Sequence, residues 1–234
     1  MKNVYGWDIN EVAIKLCINN LNALINKFGI EIEWNIYKND SIKEIENIKK
    51  NLFLHESDNN KFDFIVGNPP YIRIQHLEET QRKYIQSNYK FCQSGSTDIY
   101  IAFFELCYHL LNDNGICGLI TPNTFFYTET AKVMRDNFSK LGVVKQITNY
   151  GIIQLFDNAT TYSAILIFDK KKRKTFLYQQ ATDKENFLNR EISTSEILNQ
   201  KIWQLSVDKN NKQQGVKLKE ICKIHVGITT LYER

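Results

Sequence analysis

Phe62-Asp63-Phe64-Ile65-Val66-Gly67-Asn68-Pro69-Pro70-Tyr71 reads as a short apolar strand that runs into a rigid polar loop. Aromatic and β-branched residues favour the strand, and Gly67 with two prolines ends it. Consecutive prolines fix backbone torsions and remove two N–H donors, so their carbonyls remain as acceptors in a stiff loop. Asn68 adds a side-chain carbonyl and Tyr71 a flat face. Together these groups suit a planar amine: two acceptors for its N–H bonds and a ring to stack on. In isolation the tetrapeptide is equally an ordinary Pro-Pro turn, so its surroundings decide.

Those surroundings alternate between strand and helix patterns. Val4 to Asp8 is a short apolar run ending on an acid. Glu11 to Phe28 then sets Val12, Leu16, Leu21, Leu24, Ile25 and Phe28 near helical spacing. Ile30 to Tyr37 alternates as a strand and ends at Asn39-Asp40, and a polar helix or loop continues to the Asp58-Asn59-Asn60 stretch. After the Pro-Pro loop, Glu78 to Cys92 is partly helical. A helix over Ile99 to Leu111 starts with Thr97 as its expected N-cap and is closed by Asn112-Asp113-Asn114-Gly115. A strand over 116–121, a helix over 129–141 and strands over 143–149 and 162–168 follow. This pattern predicts a mainly parallel α/β sheet wrapped by helices on both faces, with ligands beyond the carboxyl ends of the strands. Asp8, Asp40 and Asn68 all fall at such ends. Singly, Asp8 reads as a helix cap, Asp40 as a turn residue and Phe156 as core.

The 234 residues are 43% hydrophobic and 24% charged, with a formal net charge of +4. This is a globular composition, compatible with nucleic acid but not pointing to it. No apolar run is long enough to cross a membrane and no signal-peptide pattern opens the chain, so no membrane role is expected. Cys17, Cys92, Cys107, Cys117 and Cys222 are scattered, without metal-ligand spacing, and read as reduced thiols of a cytoplasmic protein with no metal site; three sit in apolar surroundings. Lys170-Lys171-Lys172-Arg173-Lys174 ends the alternation and reads as a solvated linker rather than a phosphate contact.

Phe62 to Ile72 resembles motif IV of the N6-adenine DNA methyltransferases, and further motifs follow in family order over residues 4–168. Val4 to Asn10 is similar to motif II, which would put Asp8 on the ribose hydroxyls of S-adenosylmethionine with Ile9 beside the donor's adenine. Asn39-Asp40-Ser41 resembles motif III, giving Asp40 the donor's adenine amino group. Thr97 to Tyr100, Leu119 to Phe126 and Phe156 with Thr161 to Leu166 look like motifs V, VI and VIII. The resemblance makes Asn68, Pro69, Pro70 and Tyr71 the catalytic loop, with Asn68 also near the donor. It supplies Phe156, with Tyr162 in reserve, as the second face gripping a flipped adenine in double-stranded DNA. Flipping costs roughly a few kcal/mol, and each aromatic face returns ~1–3 kcal/mol.

The closest resemblance is to the gamma-type, Taq-like and Eco57I-like enzymes of type II restriction-modification in prokaryotes. It implies a Rossmann-like S-adenosylmethionine-dependent fold, a restriction endonuclease as possible partner, and a recognition domain after the catalytic one. Leu218 to Cys222 with Gly227-Ile228-Thr229-Thr230 resembles the opening of that domain. The expected division is a partial catalytic domain over 1–170, a linker and connecting segment over 171–215, and the start of a recognition domain over 216–234. The family's Gly-rich motif I has no counterpart, for no Gly-x-Gly occurs in the chain. The expectation is therefore a fragment without the first central strand, its two neighbours left unpaired, that binds the donor poorly unless an N-terminal polypeptide supplies the loop. Three other readings stay open: a protein glutamine methyltransferase, an RNA adenine methyltransferase, and a non-catalytic fragment. A cytosine-N4 target fits less well, because those enzymes usually carry Ser in place of Asn68.

Overall fold

The computed structural model describes residues 4–54, 61–93, 95, 97–156, 161–208, 216 and 218–223. Strand β1 (Tyr5–Asp8) leads into helix α1 (Glu11–Asn26), and β2 (Asn35–Lys38) pairs in parallel with β1. The expected strand over 30–37 is shorter and begins only at Asn35. Helix α2 (Glu44–Leu54), β3 (Phe62–Gly67), α3 (Glu79–Asn88), α4 (Tyr100–Leu110), β4 (Leu111–Pro122), α5 (Lys132–Leu141), β5 (Val144–Asn149) and β6 (Ser163–Asp169) follow. Two further strands, β7 (Thr175–Ala181) and β8 (Phe187–Ser193), and the one-turn helix α6 (Thr194–Ile197) come from the stretch read as a connecting segment. The sheet that holds β3 to β6 thus runs on past the basic run. The helical turn α7 (Leu218–Ile221) is described, but Asp58-Asn59-Asn60 and Gly227-Ile228-Thr229-Thr230 lie outside the described residues.

The strands form two sheets: the β1–β2 pair, and six strands in the order β3-β4-β6-β5-β7-β8. In the larger sheet β3, β4, β5 and β7 run one way, with β6 and β8 opposed. Among the described residues β1 pairs only with β2 and β3 only with β4. The two sheets meet through edge-on rings instead, Phe62 lying 5.6 Å from Tyr5 and 5.7 Å from Trp7. This is the split expected of a sheet without its central strand.

Among the described residues, helices α2 to α6 gather on one face of the larger sheet rather than on both as expected, and α1 packs on the β1–β2 pair. Helix α4 is apolar nearly all round, which suits a helix enclosed between sheet and neighbours. Its Phe104 stands 6.2 Å from both Phe138 of α5 and Phe168 of β6, and those two are 5.0 Å apart. Each such buried ring contributes about 1.5–3 kcal/mol. The other face carries Phe64, Val66, Ile116, Ile120, Ile165 and Ile167, where register aligns Phe64 with Ile116 and Ile120 with Ile165. Phe64 and Val66 remain 78% and 87% exposed. The apolar residues of α1 divide likewise: Ile14 is buried and Leu21 and Ile25 half-buried, while Val12, Leu16, Leu24 and Phe28 are exposed.

Two local expectations change. Thr97 does not cap α4; Ile99 takes the cap position without a side-chain bond, and the Thr97 hydroxyl is buried with no partner among the described residues. The reason is that residues 97–99 pair with the loop after Tyr71, which delays the helix. Asn112 to Gly115 does not separate helix from strand but bulges within β4, where a Cβ on Gly115 would sit 2.7 Å from the Phe62 carbonyl oxygen. Cys92, Cys107 and Cys117 are buried, whereas Cys17 and Cys222 are exposed. No described helix is long and apolar enough to cross a membrane.

Candidate active site

Asn68 follows the last residue of β3 and is exposed, Pro69 is buried, Pro70 exposed and Tyr71 half-buried. The downstream arm of this loop is held by backbone bonds to the residues before α4. Ile74 N–H donates to the Thr97 carbonyl at 2.9 Å, and Ile99 N–H to the Ile72 carbonyl at 2.8 Å. Arg73 and Asp98 form a bridge between them. Burial raises the Asp98 pKa, and the Arg73 charge works against that rise. Asp98 thus stands beside the loop.

The Tyr71 ring is fixed at two points. Its hydroxyl donates to the Ile120 carbonyl on β4 at 3.3 Å, and its ring stands nearly perpendicular to that of Tyr100, 6.4 Å away at 79°. Burial raises the Tyr71 pKa, so the hydroxyl stays protonated and able to donate at neutral pH. Tyr100 is fully buried, and its hydroxyl shares a 3.0 Å bond with the Thr124 hydroxyl. Neither Tyr100 nor Thr124 was singled out from sequence, because their contacts arise only when α4 and the loop after β4 converge.

Asp8 and Asp40 lie at neighbouring strand ends, tied by the Asn39 N–H donating to the Asp8 carbonyl at 2.9 Å. Both carboxylates also have local duties, although Asp8 does not cap α1 as its position suggests; Asn10 does. Asp8 accepts from the Asn10 N–H at 2.7 Å, just before Asn10 caps α1. Asp40 caps the 3-10 turn over Ser41–Lys43 through the Ile42 N–H at 3.3 Å, with Lys43 Nζ 3.8 Å from its second oxygen. Ile9 beside Asp8 is exposed. Two acids with outward oxygens at adjacent strand ends can accept from vicinal hydroxyls and from an aromatic amino group.

Phe156 and Tyr162 both lie at this end of the sheet and both are partly exposed. Phe156 ends the described part of the loop after β5, and Tyr162 enters β6, its carbonyl accepting from the Asn123 N–H at 2.9 Å. The basic run lies elsewhere. β6 is antiparallel to β4, with Ser163 opposite Pro122 and Asp169 opposite Ile116, so residues 170–174 emerge at the end of the sheet away from Asn68. There Arg173 pairs with Asp169, and Lys170 Nζ donates to the Leu111 carbonyl at 2.5 Å.

The type II restriction enzyme and methyltransferase RM.Eco57I of Escherichia coli is 30% identical over 160 residues, 65% of this chain and 15% of the relative. A release factor glutamine methyltransferase of Fusobacterium nucleatum is 32% identical over 151 residues, 61% of this chain and 37% of the relative. The chain therefore spans well under half the length of either relative. A solved Listeria monocytogenes structure, assigned to the class I S-adenosylmethionine-dependent methyltransferases, superposes with a TM-score of 0.56 at 16% identity, covering 79% of this chain and 51% of that one. The fold is thus the expected methyltransferase fold. Residues 2–156 match the family model described as Eco57I restriction-modification methylase, and the chain belongs to that family.

Proposed function

We propose that this chain carries the base-binding loop and part of the donor site of a site-specific DNA methyltransferase, one that modifies N6 of an adenine flipped out of duplex DNA. The observation that carries this reading is the Asn68-Pro69-Pro70-Tyr71 loop at the carboxyl end of β3, with its aromatic ring anchored to β4. The Asn68 side-chain carbonyl and the Pro69 carbonyl accept hydrogen bonds from the two amino N–H groups and favour a pyramidal nitrogen, whose lone pair then points at the methyl group. The nitrogen forms the new C–N bond as the donor's S–C bond breaks, and it releases one proton to solvent. The loop contributes positioning and charge stabilisation rather than a general base.

S-adenosylmethionine supplies an electrophilic methyl group when bound. Asp8 suits its ribose hydroxyls and Asp40 its adenine amino group, with Ile9 as the apolar wall. A further strand and Gly turn between β1 and β3, from an N-terminal segment or a partner polypeptide, would join the two sheets and hold the donor's methionine part. Phe156 is the proposed second stacking face. The biological setting is restriction-modification, with a restriction endonuclease as the counterpart activity.

The test is methyl transfer by the full native polypeptide that carries these residues, using duplex DNA and labelled donor. Asn68→Ala is expected to lose about 100-fold or more; full activity in that variant refutes the assignment. The similarity to a release factor glutamine methyltransferase favours one second reading, because a glutamine amide presents the same planar NH2. Methylation of a release factor but not of DNA would establish it.

A further inference from the structure

We infer that Tyr100 is a positioning residue, whose buried ring sets the plane of Tyr71 and through it the seat of the target base. The inference rests on the reading of Tyr71 as the stacking face. Three observations support it. First, Tyr100 is the ring that meets Tyr71 edge-on at 6.4 Å and 79°, an arrangement aromatic pairs favour. Second, Tyr100 cannot itself touch a base, since it is fully buried, with Phe104 packed behind it at 6.1 Å and 83°. Third, its hydroxyl is tied to Thr124, in the loop after β4, and that loop is clamped by Arg135. The fully buried Arg135 donates to the carbonyls of Phe125 at 2.7 Å and Thr128 at 2.8 Å, both just after Thr124.

The geometry separates the roles of ring and hydroxyl. The Tyr71 hydroxyl is pinned to Ile120, which fixes one end of its long axis but leaves the ring free to rotate about that axis. An edge-on neighbour restricts this remaining rotation. A leucine at position 100 fills part of the volume but offers no ring for the perpendicular pair, whereas phenylalanine keeps the ring and loses only the bond to Thr124.

The experiment has two arms. In the first, NMR on tyrosine-labelled protein follows ring protons, with Tyr71 assigned through Tyr71→Phe. Contacts between the Tyr71 and Tyr100 rings are expected in the native protein, and Tyr100→Phe is expected to keep them. Their absence from the native spectrum overturns the inference, even if Tyr100→Leu fails to fold. The second arm measures methyl transfer in a double-mutant cycle on the full native polypeptide. Tyr71→Ala is expected to lower kcat/KM by about tenfold or more, as loss of a base-stacking ring does. Tyr100→Leu should fall by a similar factor and add little in the Tyr71→Ala background, while Tyr100→Phe stays near native. Fully multiplicative losses, or a Tyr100→Phe loss equal to that of Tyr71→Ala, overturn the inference. Full methylation by Asn68→Ala instead defeats the base-binding reading itself, so the two failures are distinguishable.

Discussion

Replacing Arg135 with methionine tests whether a guanidinium with three carbonyl acceptors holds the loop beside the site. Its donors reach the carbonyls of Phe125, Thr128 and Lys201 at 2.7, 2.8 and 2.6 Å, so one side chain joins α5, the loop after β4 and the segment following α6. Methionine preserves most of the volume and removes every donor. A hydrogen bond from a charged donor contributes ~1.5–3 kcal/mol. The Phe125 carbonyl lies in the interior and loses close to the full amount. The other two bonds lie nearer solvent, where water replaces part of the loss. The sum is about 3–5 kcal/mol, which lowers the unfolding midpoint by about 10–15 °C for a domain of this size. Arg135→Lys keeps the charge but not the forked geometry, and is expected to recover less than half of the loss. Urea unfolding with hydrogen exchange over residues 123–131 provides the assay. A Met variant within ~1 kcal/mol of native, or a Lys variant equal to native, refutes the clamp.

Three further outcomes follow from particular contacts. Burial first, then the charges of Lys170, Lys49 and Lys61, hold the His109 pKa below its ordinary 6.5. As pH falls through that value the unfolded chain takes up a proton that the folded chain refuses, so stability should decline toward the folded pKa; urea midpoints compared on either side of pH 6.5 should differ less in His109→Gln. Gly142 ends α5 at φ +66, and a Cβ there would lie 2.9 Å from the Arg173 carbonyl oxygen. Gly142→Ala should therefore cost more than the ~1–2 kcal/mol of the left-handed conformation alone, which thermal unfolding would register. Val66→Lys places a charge on the unpaired, exposed edge of β3 and should reduce concentration-dependent association in light scattering, with little change in the unfolding midpoint; unchanged association would clear that edge.

Sequence carried most where one short segment holds both the structural signal and the chemistry. The β3 loop is such a segment: its strand, its prolines and its acceptors are consecutive, and all fall where expected. Asp8 and Asp40 were legible as strand-end acids; Asp40 caps the turn after it, while the cap of α1 falls to Asn10 and Asp8 only accepts from the Asn10 N–H. Tyr100 was not legible, because its contact with Tyr71 spans 29 residues and depends on how α4 leans on the loop. β7 and β8 escaped notice for a different reason. Their alternation is genuine, with Phe176 and Tyr178 buried, but the other face is polar. There Gln179 accepts from Gln146 at 2.6 Å and from Thr148 at 2.8 Å, and donates to Asn189 at 3.0 Å. Such cross-strand amide pairing stabilises a sheet without leaving a hydrophobic signature. Phe156 and Tyr162 stayed undivided because both flank the same loop and both reach the surface.

The position of residues 170–174 bears on how the proposed duplex would be held. Where binding strength comes from neutralised phosphates, counterion release makes affinity fall steeply with ionic strength. Here the densest positive charge stands at the end of the sheet away from Asn68, with Arg173 occupied by Asp169 and Lys170 by a backbone carbonyl. These cations therefore contribute no phosphate contacts to a duplex seated over the β3 loop. The salt slope of its binding should be shallower than the lysine and arginine content suggests, and it should not change when 170–174 are neutralised.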